Sequence, residues 1–199
     1  MHANAARVVA AARAEGLEIE VVEYPDGTRT AAEAAAAVGC EVARIVKSLV
    51  FTVESEPVVA LVAGDARLDE RLLGEAAGGA VGRADADVVR GATGYPIGGV
   101  PPFAHASSLP TFVDESLLAH DTVWAAAGTP RHVFEVAPAS RAAGRSRWPP
   151  ADAFPSRRST ATGRSARTEA GIGPQAVGPC AAARARVAQR SRSTTRWTS

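Results

Sequence analysis

The 199-residue chain is short of most features that would commit it to a familiar chemistry. Its two cysteines, Cys40 and Cys180, have no CxxC partner and no histidine pair beside them, so neither a disulfide framework nor a zinc site is expected. No apolar run reaches the roughly 18 residues needed to cross a bilayer, and Met1-His2-Ala3-Asn4 lacks a basic-then-apolar leader pattern. A soluble, cytoplasmic protein with no membrane partner is the expectation. No GxGxxG follows a strand, no Walker sequence is present, and the GxSxG elbow of the serine hydrolases is missing. His2, His105, His120 and His132 show no metal spacing and read as surface or satisfied residues. The sharpest scarcity is lysine: among 22 basic residues, every one but Lys47 is arginine. GC-rich coding favours arginine throughout, so the exception marks a position where a compact ammonium is required rather than a guanidinium.

What is present divides the chain in two. Residues 1–140 hold ten basic side chains against nineteen acidic ones, whereas residues 141–199 hold twelve arginines against only Asp152 and Glu169. The hydrophobic content of 46% suits a globular body, and the length suits one domain with an appendage. From about residue 141 the chain is Arg, Ala, Ser, Thr, Pro and Gly with few large aliphatic residues. Such a segment buries too little apolar surface to offset an ordering cost of about 1–2 kcal/mol per residue, and disorder is expected. Its one candidate helix, Ala181–Gln189, is too short to be stable alone. The expected division is therefore a domain over 1–140 and a basic, disordered tail over 141–199. A shifted reading frame of GC-rich DNA would produce a tail of this composition.

Within the body, the first sixteen residues predict a helix stopped at Gly16, and Glu18–Tyr24 alternates as a strand closed by the turn Pro25-Asp26-Gly27. Thr30 with Glu33 has capping-box spacing, and Ala31–Val38 before Gly39 predicts a short helix with Cys40, a small packed residue, just beyond its end. Arg44–Val53 and Pro57–Ala63 are β-branched runs around Glu54-Ser55-Glu56 and predict a hairpin. Helices follow over Asp69–Ala77 and Asp85–Gly91, with a short strand Ala80–Arg83 between them. Thr93–Phe103 is too rich in glycine and proline for regular structure. Leu109–Val113, Thr122–Ala126 and His132–Val136 predict strands, with a short helix at Glu115–Ala119. Helices and strands without strict βαβ alternation predict an α+β fold.

Two places could carry chemistry. Alternation along the hairpin's first strand puts Lys47 on the face of Ile45, Leu49, Phe51 and Val53, where a lysine either snorkels to water or stands in a pocket wall against an anionic or carbonyl-bearing ligand. The loop Gly94-Tyr95-Pro96-Ile97-Gly98-Gly99-Val100-Pro101-Pro102-Phe103 joins adjacent glycines, which let backbone approach a ligand, to prolines that hold one shape. Turns of this composition are common, so the loop alone leaves structural and functional readings open. Asp65, Asp69, Asp114 and Asp121 lie at strand ends or helix starts, where carboxylates cap and turn the chain.

In order, these segments resemble the YbaK/ProX family of aminoacyl-tRNA editing domains. Val38–Phe51 is similar to that family's helix-to-strand segment with its active-site lysine, Val62–Asp69 to its second-strand exit, and Gly98 to Pro102 to its GxxxP loop. Phe112-Val113-Asp114-Glu115 and Ala126-Ala127-Gly128-Thr129-Pro130 continue the likeness to about residue 138. Ala104 stands where relatives often carry glycine, and the tail does not resemble the family's final helix. The resemblance implies a mixed sheet with flanking helices, a shallow pocket, and hydrolysis of mischarged tRNA bearing a small amino acid. It implies that Lys47 holds the tRNA 3′-end or the ester. Gly98, Gly99, Val100, Pro101 and Pro102 then form the substrate-binding loop, with backbone groups of Gly98 and Gly99 taking part in catalysis. Neither metal nor cofactor is then needed. The implied partners are mischarged tRNA and an aminoacyl-tRNA synthetase. The arginine-rich tail supports a different reading, a non-catalytic tRNA- or DNA-binding protein.

Overall fold

Helix α1 spans Ala3–Ala14, capped by the His2 ring, whose Nδ1 accepts from Asn4 N at 3.1 Å, and Gly16 turns the chain out of it at φ 73°. The structure is a computed structural model that describes residues 1–24, 30–138, 152–154 and 157–158. Strand β1 is confined to Val21–Glu23, and the turn expected at Pro25-Asp26-Gly27 lies outside the described residues. Helix α2 is Ala31–Val38, with Thr30 Oγ1 accepting from Glu33 N and Gly39 left-handed at its end. Both ends are set by local chemistry, which is why they coincide with the expectation.

The hairpin begins later than its β-branched run suggests. Val42–Arg44 forms a 3-10 turn, the Arg44 guanidinium reaches Thr122 O at 2.9 Å and Glu135, and strand β2 then runs Val46–Val53. Glu54 and Ser55 make the tight turn at φ 49° and 74°, and β3 returns over Glu56–Ala63. Positive φ at both turn residues matches the right-handed twist of a two-residue hairpin. Residues 58–63 of β3 are all buried, and β3 is flanked within the sheet by β2, antiparallel, and by β6 (Thr111–Asp114), parallel. A strand covered on both faces reads as a continuous apolar run, as Val58–Ala63 does.

Strand β4 (Ala66–Arg67) precedes helix α3 (Glu70–Ala77), which Asp69 caps through Arg71 N and Leu72 N. Strand β5 (Val81–Arg83) pairs with the far end of β2, and helix α4 (Ala86–Thr93) is capped by Asp85 and ended by Gly94. The expected helix at Glu115–Ala119 is a 3-10 turn. Strands β7 (Val123–Thr129) and β8 (His132–Val136) form a second hairpin that pairs with β1. One sheet runs β5-β2-β3-β6 and a second β1-β8-β7, and a parallel bridge from Ile45 to Trp124 joins them. The fold is α+β with mixed pairing and flanking helices.

Two pieces of the basic tail are described. Strand β9 (Asp152–Phe154) runs parallel to β6, and β10 (Arg157–Arg158) pairs with β4. Backbone pairing with an available edge is blind to side-chain pattern, so no signal in the sequence announces them. The rest of the tail, including Ala181–Gln189 and Cys180, lies outside the described residues.

Ala104 carries a testable strain. It sits at φ 66°, its carbonyl accepting a 3.0 Å bond from the buried Tyr95 hydroxyl, and the Tyr95 ring lies under the Arg7 guanidinium of α1 at 4.4 Å. A left-handed alanine costs about 1–2 kcal/mol that glycine avoids. Ala104→Gly should therefore stabilise the protein by about 1 kcal/mol and raise Tm by about 2–4 °C in a thermal melt. A lower Tm would show that the site holds alanine without strain.

Candidate functional site

The site forms where β2 loses a neighbour. Along its whole length β2 pairs with β3, but on the other side only residues 51–53 meet β5, and Ile45 only bridges to Trp124. From Val46 to Val50 no described strand is hydrogen-bonded to the outer edge. Burial along β2 reflects this: Val46 and Val53 are buried and every residue between is half-buried, so the expected two-face alternation is blurred. Lys47 belongs to a pocket wall because it lies on this open edge.

The resulting cleft has a cavity of about 310 Å³ bounded by Lys47, by Ala31, Ala34 and Val38 of α2, by Trp124 of β7, and by Ile97, Gly98 and Val100 of the loop. The Lys47 ammonium donates to the carbonyl oxygens of Gly64, at 3.3 Å, and Ala66. Burial pushes its pKa below the ordinary lysine value, Asp65 and Asp114 oppose that shift, and Arg67 adds to it. The Asp114 carboxylate is itself fully enclosed, accepting from Ala63 N at 3.2 Å and Ser116 N at 2.9 Å, and so ties β6 to the end of β3. Asp69 and Asp114 thus do the capping work expected of them.

The loop facing Lys47 is a tight turn. Gly99 N donates to Pro96 O at 2.9 Å, and Gly98 sits at φ 79° in the third position, as a type II turn requires. Because that bond uses the Gly99 amide, the loop amides left without a backbone partner among the described residues are those of Ile97, Gly98 and Val100. Gly99 instead presses on the β7–β8 turn: a Cβ there would stand 2.6 Å from Thr129 Cα and 2.8 Å from its nitrogen. Pro101 and Pro102 are buried and do not line the cavity, and Pro101 O is held by His105 Nε2 at 2.8 Å. The structure therefore brings Lys47, Gly98 and Val100 to one cleft and sets Gly99, Pro101 and Pro102 behind it as the loop's support. The opposing turn is stiffened in its own right, with Thr129 Oγ1 accepting from Arg131 N at 3.2 Å and lying 2.6 Å from His132 Nδ1. Helix α1 braces it from outside through Asn4 Nδ2 to Gly128 O at 3.0 Å.

His105 gives the loop a pH dependence. Burial holds its imidazole below the ordinary value, and the bond to Pro101 acts against this. A histidine with a depressed folded pKa contributes stability that is present above the unfolded pKa and lost as pH falls through the folded value. Lowering the pH from about 7 to about 5 should thus lower the Tm of the native chain more than that of His105→Gln, which keeps a neutral donor. Equal shifts in melts at both pH values would exclude a role for this ring.

Several lining residues were not anticipated from the sequence. Tyr24, Thr30, Ala31, Ala34, Val38 and Trp124 come from α2, its approach and β7, and only the folded arrangement brings them opposite Lys47. Thr129 and Pro130 lay in a segment already noted for its resemblance. Among the described residues Ser48 Oγ and Trp124 Nε1, both in the cleft walls, are buried without a hydrogen-bond partner, a cost of about 1–3 kcal/mol each. Cys40 packs against the Ala35–Val38–Trp124 cluster and does not itself line the cavity. Among the described residues no cluster of His, Cys, Asp and Glu is arranged to hold a metal, and no helix is long and apolar enough to cross a membrane.

Comparison with known proteins gives one consistent result. Residues 25–142 match the family model of the aminoacyl-tRNA editing domain. The uncharacterized protein YwhH of Bacillus subtilis (strain 168) is 34% identical over 122 residues, covering 61% of this chain and 78% of YwhH. The proline–tRNA ligase of Maridesulfovibrio salexigens is 38% identical over 114 residues, covering 57% of this chain and only 19% of the ligase. Among solved structures, one described as "a putative trans-editing enzyme for prolyl tRNA synthetase" is 46% identical with a TM-score of 0.66, covering 69% of this chain and 88% of its own.

Proposed function

The chain belongs to the aminoacyl-tRNA editing domain family and is an aminoacyl-tRNA deacylase, and we propose that the cleft between the open edge of β2 and the Pro96–Gly99 turn is where it removes a small, wrongly attached amino acid. The observation that carries this reading is the convergence of a half-buried ammonium and a glycine turn on one cavity walled by alanine, valine and tryptophan. The reading requires this cavity to admit a small side chain and reject a large one, the discrimination that editing adds where binding alone separates small amino acids poorly.

The reaction is hydrolysis of the ester between the amino acid and the terminal ribose. Water, or water positioned by the neighbouring ribose hydroxyl, adds to the ester carbonyl, and collapse of the tetrahedral intermediate releases the free amino acid and the tRNA hydroxyl. The proposed role of Lys47 is electrostatic. Its ammonium, fixed by two carbonyls, attracts the substrate's 3′-end, and the free amides of Gly98 and Val100 face the carbonyl oxygen as it gains charge. Gly99, Pro101 and Pro102 hold those amides in place, so catalysis rests on orientation and charge rather than on a protein nucleophile.

On this reading residues 1–140 carry the chemistry, and 141–199 are a basic appendage that begins by pairing β9 and β10 onto the body. The substrate is mischarged tRNA, and the likeness to proline–tRNA ligase and to a trans-editing structure supports an association with prolyl-tRNA synthesis. Incubating the full chain with a panel of mischarged tRNAs tests the proposal. Release of free amino acid is expected for small residues, the proline tRNA charged with the wrong small amino acid first among its substrates. Stability of every ester in the panel, or equal cleavage of small and bulky amino acids, would overturn it.

A further inference from the structure

The described part of the basic tail reaches the cleft through β4. The carbonyl of Ala66 accepts from the Lys47 ammonium, and Ala66 is also the register partner of Arg158 in β10. Arg67, next in the chain, is exposed and is the register partner of Arg157. Its charge is felt in the cleft, where it adds to the lowering of the Lys47 pKa. Arg67, Arg157 and Arg158 thus share a two-stranded ribbon that begins one hydrogen bond from Lys47. Asp65 and Asp69 flank β4 in the sequence, Asp69 as the cap of α3 and Asp65 acting on Lys47.

Backbone pairing alone gives this ribbon little reason to form. It has two register pairs, each ordered residue costs about 1–2 kcal/mol, and like charges at opposed positions repel. An anion within reach of both strands reverses that repulsion. The substrate class supplies one. The acceptor end of a tRNA is a chain of phosphodiesters, and the phosphate nearest the ester belongs to the terminal nucleotide itself. Residues 1–140, with ten basic side chains against nineteen acidic ones, repel such a chain at long range, whereas residues 141–199, with twelve against two, attract it. Arginine is the side chain whose forked donors grip a phosphate through two bonds.

We propose that the β4–β10 ribbon, through Arg67, Arg157 and Arg158, holds phosphodiester groups of the tRNA acceptor end while the ester lies in the cleft beside Lys47. The tail is then the RNA-holding arm of an enzyme whose own body is acidic, and the pairing of β10 with β4 sets that arm beside the site. The proposal rests on the deacylase reading of the cleft and leaves the chemistry with residues 1–140.

The test uses the full chain and two substrates, a mischarged tRNA and the 3′-O-aminoacyl-adenosine of the same amino acid, which carries no phosphodiester. The ratio of kcat/KM for the tRNA to that for the adenosine ester should fall by about tenfold or more when Arg157→Glu and Arg158→Glu are combined, mostly through KM. Arg67→Gln, on the body's own strand, should lower the ratio in the same direction. Arg190→Glu with Arg192→Glu changes the net charge equally and should lower it less. An unaltered ratio in the ribbon variants would overturn the proposal, and so would an equal fall in the Arg190 and Arg192 variant, which would assign binding to the charge of the tail at large. Filter binding of uncharged tRNA across a salt series reads the ribbon without hydrolysis. The slope of log affinity against log salt should be shallower by about one for each arginine removed from the ribbon. Inertness of the native chain toward both esters would strike at the deacylase reading of the cleft instead. The salt series then decides the ribbon by itself: shallower slopes in the ribbon variants support it and identical slopes refute it.

Discussion

Replacing Lys47 with alanine is expected to lower kcat/KM for deacylation by about 10²–10³, the usual scale for removing one fixed donor from a site of developing charge. The fold should survive, because the side chain is half-buried at a strand edge that no described strand pairs with. Lys47→Arg should not restore activity. A guanidinium is planar and longer, and it cannot place a point charge between the carbonyl oxygens of Gly64 and Ala66 as the ammonium does. The pH dependence carries the same signature. With its pKa depressed by burial, Lys47 gives up its proton at a lower pH than an ordinary lysine, so enzymatic deacylation over background should decline on the alkaline side before the ordinary lysine range is reached. Full activity in the arginine variant would show that charge alone is needed and that the geometry of the carbonyl pair is incidental.

Gly99→Ala is expected to have the largest effect on stability of any single methyl added to the loop. The new Cβ would lie within 2.9 Å of three backbone atoms, Thr129 Cα, Thr129 N and Gly128 C, and no rotamer change can relieve contacts made to main chain. Either the loop or the β7–β8 turn must move, at about 1–3 kcal/mol, with a fall in Tm of several degrees and loss of deacylation together. Gly98→Ala makes an instructive contrast. Its Cβ would find Pro130 Cγ at an ordinary 3.5 Å, so its cost is the left-handed conformation alone, about 1–2 kcal/mol. Melting and assaying both variants side by side checks the distinction. A Gly99→Ala chain that melts and works like the native one would mean the loop does not bear on Thr129.

Those two glycines also show where reading the sequence succeeds and where it stops. Gly98 is legible because its reason is local: the third position of a tight turn between Pro96 and Gly99. Gly99 looks the same on paper, yet its reason is the backbone of Thr129, thirty positions downstream in the chain, and nothing near Gly99 announces that contact. The same contrast runs through the fold. Helices α2, α3 and α4 carry their caps in Thr30, Asp69 and Asp85, so they could be placed to within a residue or two. Strands β4, β9 and β10 are two or three residues long and exist only because another strand offers an edge. Lys47 was legible through its rarity. The alternation that seemed to give it an inward face is not what places it, since β2 is half-buried on both faces where its edge is free. Trp124 and the alanines of α2 could not be tied to the site at all without the bridge between Ile45 and Trp124 that brings the two sheets together.

The account stands on Lys47 and the Pro96–Gly99 turn being the two sides of a single ester-binding cleft. Titrating the full chain with a non-hydrolysable 3′-aminoacylamino-3′-deoxyadenosine, and following backbone amide and lysine side-chain NMR signals, addresses that directly. Large shifts at Lys47, Ser48, Gly98 and Val100, saturating together with one affinity, are the predicted result. Saturable binding that leaves the Lys47 and Gly98 signals in place would contradict it.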